Sequence, residues 1–183
     1  MQDKIKVAVN GYGVIGKRVA DAVRAQEDMA LVGVSDVIAD YRIATAAGKG
    51  IPVYASTEQA LPVMADAGLP VVGGLHDLLE NVDVVVDCTP AQVGAGNLEL
   101  YRARGVKSVF QGGEKHDLTG HSFVAHANYA TALGRDSTRV VSCNTTATVR
   151  ALTALKDVGL LSKARGCSSA GPPIRGNRTI PGS

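Results

Sequence analysis

Two short stretches of this chain carry residue types able to do chemistry. In Ser142-Cys143-Asn144-Thr145-Thr146 a thiol stands just ahead of a segment, residues 145–158, whose pattern predicts a helix. A thiol at a helix N-terminus feels the dipole and the unpaired amides of the first turn. Both favour the thiolate, and the amides can hold a developing oxyanion. Asn144, Thr145 and Thr146 add hydrogen-bonding groups beside it. The second stretch is Gly11-Tyr12-Gly13-Val14-Ile15-Gly16, between a predicted strand (4–10) and an amphipathic helix. Gly11 permits the tight turn, Gly13 the close approach of an anion, and Gly16 the packing of helix on strand. That combination cradles a dinucleotide pyrophosphate. A thiolate beside a nicotinamide points to aldehyde oxidation: a thiohemiacetal forms, hydride leaves its carbon, and a thioester remains.

Further positions suit the same chemistry. Asp36 ends the second predicted strand, about twenty residues after the glycines, where an acid accepts the ribose 2′-OH. Its charge would repel a 2′-phosphate, which favours NAD over NADP, although Arg42 offers a 2′-phosphate a partner. Thr89 and Pro90 follow an apolar strand at its carboxyl end, where open α/β sheets bind ligands. Cys88 beside them reads as a small core residue. Gly112 and Gly113, in Gln111-Gly112-Gly113-Glu114-Lys115-His116, lie at the same edge and suit backbone approach to the nicotinamide. His76, His116, His121 and His126 have no spacing that ties them to Cys143, and read as structural or solvated.

The elements that must position these residues alternate. Strands are predicted at 4–10, 29–34, 52–54, 82–86, 106–110 and 139–142, and helices at 41–47, 57–67, 94–104 and 145–158. Ser56 or Thr57 caps the helix at 57–67 and Gly68 ends it. In the first helix Ile15, Val19, Ala22 and Val23 form one apolar stripe. This alternation predicts an α/β fold, a Rossmann-like doubly wound and mostly parallel sheet, with only the start of a second, catalytic domain.

The 183 residues are 45% hydrophobic and 20% charged, enough for a core. Lys and Arg exceed Asp and Glu by two, too few to argue for nucleic acid or an anionic membrane. No apolar run approaches the ~20 residues that span a bilayer. Cys88, Cys143 and Cys167 form neither a disulfide framework nor a metal-ligand spacing, so no metal is expected. The set reads as a soluble cytoplasmic protein.

Four motifs in order, Asn10 to Arg18, Asp87-Cys88-Thr89-Pro90, Phe110 to His116 and Val141 to Thr146, resemble archaeal-type (type II) glyceraldehyde-3-phosphate dehydrogenase. The resemblance covers residues 1 to about 166. It implies oxidation of glyceraldehyde 3-phosphate to 1,3-bisphosphoglycerate in glycolysis or gluconeogenesis, with NAD or NADP, inorganic phosphate and a homotetramer. It implies Cys143 as nucleophile, with Ser142 and Asn144 at the substrate. It also puts Gly13, Val14, Ile15, Gly112 and Gly113 at the cofactor. Ala147 stands where that family usually has Gly. Aspartate-semialdehyde dehydrogenase is an alternative, which the Gln-Gly-Gly-Glu-Lys-His run argues against. A cofactor-binding fragment without catalysis is another.

On this reading residues 1–142 form the dinucleotide-binding domain and 143–166 the start of a truncated catalytic domain. Residues 167–183 are an out-of-frame, disordered tail. The family's second domain brings an Arg-Arg-x-x-Asp-Pro segment, a catalytic His and substrate-phosphate ligands. Its absence predicts little turnover and no tetramer for the 183-residue chain. Residues 169–176 can be coded TCC-GCC-GGG-CCA-CCG-ATC-CGT-GGG. The shifted frame of that run contains CGC-CGG-GCC-ACC-GAT-CCG-TGG, which is Arg-Arg-Ala-Thr-Asp-Pro-Trp. Arg175 and Arg178, the tail's only charged residues, account for the whole excess of positive charge. A single-base deletion near the Gly166 codon is therefore expected. Sequencing the coding DNA beyond that codon should reveal Arg-Arg-x-x-Asp-Pro in the shifted frame, and its absence from every frame overturns the idea.

Overall fold

Val7, Ala8 and Val9 are apolar in succession and all buried, which places their strand in the middle of a sheet covered on both faces. In the computed structural model, which describes residues 3–166, that strand is β1 (Ile5–Asn10). The tail proposed to be out of frame lies outside the described residues. From β1 the chain builds one side of the sheet with β2 (Met29–Asp36), β3 (Val53–Ala55) and β4 (Val71–Gly74). It then returns past β1 to build the other side with β5 (Val84–Asp87), β6 (Lys107–Phe110), β7 (Ser122–Phe123) and β8 (Ser137–Val140). The spatial order is β4-β3-β2-β1-β5-β6-β8-β7, and every pairing is parallel. The reversal between β1 and β5 is the switch point where such sheets open a crevice.

Alternation along β1 divides the core in two. Val9 joins Tyr12, Ala20, Val34, Ile43 and Met64 on the face covered by α1 (Val14–Arg24), α2 (Tyr41–Gly48) and α3 (Ala60–Asp66). Ala8 joins Leu75, Leu78, Val85, Leu98, Tyr101 and Phe110 on the face covered by α4 (Leu75–Leu79) and α5 (Val93–Ala103). The remaining helices are α6 (His116–Thr119), α7 (Ala125–Ala132) and α8 (Cys143–Asp157), none of which contributes a buried residue.

Several sequence expectations need correction. The buried stripe of α1 is Gly16, Ala20 and Val23, not the one that includes Ile15 and Ala22. A Cβ on Gly16 would fall on the Gly11 carbonyl oxygen, so the helix packs through a residue with no side chain. Val14 and Ile15 are left 67% and 49% exposed. The third helix starts at Ala60 rather than near 57, with Gln59 at its N-cap position and the Thr57 hydroxyl accepting from the Ala60 amide (3.3 Å). The Ser56 hydroxyl donates to Asn10 Oδ1 (2.7 Å) instead of capping it. The strand expected at 139–142 runs Ser137–Val140, and the helix expected from 145 begins at Cys143. The sequence reading missed β4 and β7. Both are short edge strands with no fully buried residue, so neither carries a strong apolar pattern.

Under the crevice runs a fully bonded polar chain. Asn10 Oδ1 accepts from Ser35 Oγ (2.9 Å), and Asn10 Nδ2 donates to the Tyr101 hydroxyl (2.8 Å). That hydroxyl donates to Asp87 Oδ2 (2.7 Å). Tyr101→Phe leaves buried Asn10 and Asp87 each short of a partner. It should cost about 1–3 kcal/mol of stability in urea denaturation. A loss under about 0.5 kcal/mol would show that the chain of bonds is dispensable.

Candidate functional site

The carboxyl ends of β1, β2, β3 and β5 surround a cleft of about 350 Å³. It is lined by Asn10, Gly11, Gly13, Asp36, Val37, Ile38, Arg42, Ser56, Thr57, Cys88, Thr89, Pro90, Val93 and Asn97. Local geometry explains most of its glycines. Gly11 has φ +91°, and a Cβ there would lie 2.8 Å from the Cys88 carbonyl carbon. Gly112 packs against the Thr89 carbonyl with no room for a side chain, and Gly113 has φ +93°. Gly13 differs. Its φ of −73° suits any residue, and a Cβ there meets nothing within 4 Å. The fold itself has no need of a glycine at this position, which caps α1 and faces open space. That space suits an anion drawn onto the amides of the α1 N-terminus, with Val14 and Ile15 exposed beside it.

Asp36 holds the loop as well as lining the cleft. Its Oδ2 accepts from the Tyr12 amide (2.7 Å), in the middle of the glycine motif. Its Oδ1 accepts from the amides of Val37 (2.7 Å) and Ile38 (3.2 Å). Thr89 turns inward: its hydroxyl donates to Asp87 Oδ1 (2.5 Å) and its amide to the same oxygen (3.0 Å). Pro90 stays exposed on the rim. Sequence reasoning missed the cleft roles of Asn10, Val37, Ile38, Ser56, Thr57, Val93 and Asn97. A polar residue at the end of an apolar strand, Asn10 or Asp87, was the available signal.

A strained turn lies at the far end. Gln92, the N-cap of α5, has φ +80°, the only positive φ at a non-glycine among the described residues. Its amide donates to Glu114 Oε2 (3.4 Å), and the buried Glu114 side chain packs against Gly94 in the first turn of α5. Arg139 Nη1 donates to the Glu114 carbonyl (3.0 Å) and Nε to Ser122 Oγ (2.9 Å), tying the loop after β6 to β7 and β8.

Cys143 opens α8 with its thiol exposed. Ser142 Oγ accepts from the Thr145 amide (3.2 Å) and lies 2.9 Å from the Thr145 hydroxyl, so Ser142 is occupied as the helix cap. Asn144 Oδ1 lies 3.9 Å from Cys143 Sγ. No histidine among the described residues bonds this thiol. His116 pairs with Ser122 Oγ (2.9 Å), His126 lies 3.9 Å from Asp157, and His76 meets Arg104 (2.7 Å). His121 is buried between Thr138 Oγ1 (2.7 Å) and Thr131 Oγ1 (2.9 Å). Burial, helped by Arg135 and His116, holds it below the ordinary imidazole pKa. Cys88 is the contrasting thiol: burial, then the Asp87 carboxylate beside it, push it up to about 12. Among the described residues no group of three His, Cys, Asp or Glu could hold a metal, and no helix is long and apolar enough to cross a membrane.

Comparison with known proteins adds relatives to this geometry. A family model described as dihydrodipicolinate reductase, N-terminus, matches residues 5–119. The glyceraldehyde-3-phosphate dehydrogenase of Thermococcus kodakarensis is 56% identical over 154 residues, 84% of this chain and 46% of the relative. That of Methanothermobacter thermautotrophicus is 52% identical over 161 residues, 88% of this chain and 48% of the relative. The chain thus spans about half the length of these curated relatives. Aspartate semialdehyde dehydrogenase II of Vibrio cholerae, solved with ASA, superposes with a TM-score of 0.56 at 14% identity. That match covers 85% of this chain and 47% of the other, and it shows likeness of fold alone.

The two described thiols should separate chemically. Iodoacetamide at mildly alkaline pH should alkylate Cys143 in the native chain and spare Cys88, read by peptide mass spectrometry. Equal labelling of both would contradict the burial assigned to Cys88.

Proposed function

The chain belongs to the family described as dihydrodipicolinate reductase, N-terminus, and we propose that it is the dinucleotide-binding half, with the nucleophile attached, of a phosphorylating glyceraldehyde-3-phosphate dehydrogenase. Identity of 52–56% over more than four-fifths of the chain to enzymes of that name carries the reading. The aspartate-semialdehyde alternative is supported by a structural neighbour at 14% identity, which shows likeness of fold alone.

The residues divide the work as follows. Gly11, Gly13 and Gly16 bring the α1 N-terminus to the pyrophosphate, with Val14 and Ile15 against it. Asp36 accepts from the adenosine ribose. Thr89, Pro90, Gly112 and Gly113 form the wall at the nicotinamide end. When bound, the nicotinamide supplies a hydride acceptor. Cys143 Sγ attacks the aldehyde carbon, forming a C–S bond as the carbonyl electrons move to oxygen. The α8 amides and the side chains of Asn144 and Thr145 stabilise that oxygen. Loss of hydride from the same carbon leaves a thioester on Cys143. Inorganic phosphate attacks the thioester, the C–S bond breaks, and the acyl phosphate departs with Cys143 restored as thiolate. A proton acceptor for the thiol and hemiacetal is also required. No described histidine bonds the Cys143 thiol.

A chimera tests this proposal. Residues 1–157 should replace the matching segment of the Thermococcus kodakarensis enzyme and retain phosphate-dependent reduction of NAD or NADP by glyceraldehyde 3-phosphate. Cys143→Ser in the chimera should lower kcat by about 10³-fold or more. A folded chimera with no such activity, or one indifferent to Cys143→Ser, overturns it.

A further inference from the structure

Of the four described histidines only His121 is buried, at 6% exposure. Its ring bridges α7 and β8. Nε2 lies 2.9 Å from Thr131 Oγ1, and Nδ1 lies 2.7 Å from Thr138 Oγ1. The Thr131 hydroxyl spends its one hydrogen on the Asn128 carbonyl (2.8 Å), so it can only accept from the ring. Nε2 therefore carries the proton. Nδ1 is left as the acceptor, and the Thr138 hydroxyl donates to it. The bridge matters because no residue of α7 is buried. Asn128 leaves helical geometry inside that helix, and its side chain holds the Val124 amide and the Ser122 carbonyl (2.9 Å each).

A second proton on this ring disturbs the arrangement. Nδ1–H would force Thr138 from donor to acceptor and strip its hydroxyl hydrogen of the partner it has now. The buried imidazolium would also lack a counter-ion, since no carboxylate among the described residues bonds the ring. Arg135, folded back onto the Thr131 carbonyl (2.8 Å), and His116 of α6 both oppose a positive charge there. The other charged groups nearby are turned elsewhere. Arg139 of β8 reaches Ser122 and the Glu114 carbonyl, and Asp117 of α6 is exposed. Asp136 lies 3.5 Å from Lys107, and His126 of α7 lies 3.9 Å from Asp157 of α8. We infer that His121 is an acid-sensitive clamp: its neutral ring fastens α7 to β8, and uptake of a proton at Nδ1 releases α7. The fold holds the imidazole below its ordinary pKa of 6.5. The clamp is thus complete above that pH and is lost as the pH falls below it. Thr138 stands on the strand that runs on toward Ser142 and Cys143, so the clamp bears on the support of that thiol. It does not depend on the thiol being the nucleophile.

Two measurements on the 183-residue chain test the clamp. Long-range nitrogen–proton NMR should show His121 as the Nε2–H tautomer at neutral pH, titrating below the ordinary imidazole value. The Nδ1–H tautomer, or titration at or above that value, overturns the inference. The second measurement is hydrogen exchange, corrected for its intrinsic pH dependence. Between about pH 7.5 and about pH 5, exchange of residues 122–132 should speed up about fivefold or more, while β1 and β5 keep their protection. His121→Gln retains an N–H donor and an oxygen acceptor but cannot titrate, and it should abolish that acceleration. An acceleration unchanged in His121→Gln, or shared equally by β1 and β5, sinks the clamp. Thr138→Val cuts the bridge at β8 without touching the ring. It should speed exchange of residues 122–132 about fivefold already at about pH 7.5, and no change there is equally fatal.

Discussion

Asp87 is fully buried, and four donors face its carboxylate, none of them a cation. The Thr89 hydroxyl and amide reach one oxygen, and Asn97 Nδ2 (2.8 Å) and the Tyr101 hydroxyl reach the other. A carboxylate in this position is tolerable only with its lone pairs satisfied. That requirement fixes the start of α5 relative to β5. Through Tyr101 it extends to Asn10 on β1, and through Asn10 to Ser35 on β2 and Ser56 after β3. The carboxyl edges of four strands are thereby locked to one another, and the cleft is cut into that locked edge.

Above this edge the loops meet backbone to backbone. Gly11 rests on the Cys88–Thr89 peptide, Gly16 on Gly11, and Gly112 on Thr89. Each contact exists because a side chain is missing, so the loops after β1, β5 and β6 form a continuous surface with little freedom to repack. The same surface gives two cysteines opposite fates. Cys88 is half-buried beneath the glycine loop beside Asp87, and burial with that neighbouring charge disfavours its thiolate. Cys143 stands on a helix end left exposed among the described residues.

Much of this was legible in the sequence. The glycine motif, the apolar runs around Val7 and Val85, and the thiol ahead of a helical pattern placed the cleft edge and α8 to within a few residues. The errors share a physical origin, because they concern positions decided by tertiary contact. The α1 stripe was misplaced because the residue that packs closest, Gly16, has no hydrophobic signal. Ser56 looked like a cap and became a partner of Asn10, forty-six residues away. Asp36 reads from sequence as a ribose acceptor. Its bond to the Tyr12 amide depends on β1 and β2 being adjacent, and no local pattern encodes that. The two-layered use of Asp40, as helix cap and as ion-pair partner, likewise needs coordinates.

α8 carries the thiol and has no fully buried residue, with Thr146, Val149, Leu152 and Thr153 half-buried along one face. A fifteen-residue helix so lightly docked is marginal in water, sustained by its Ser142 cap and its contact with α7. The amides of β1 and β5, by contrast, should exchange with solvent only when the sheet opens. In the language of hydrogen exchange the molecule has two tiers. The proposed nucleotide cleft is cut into the most buried strands, and the candidate nucleophile rides on a helix with no fully buried residue. Cleft and thiol, neighbours along one sheet edge, therefore belong to different cooperative units, and a surface that docked α8 would join them into one.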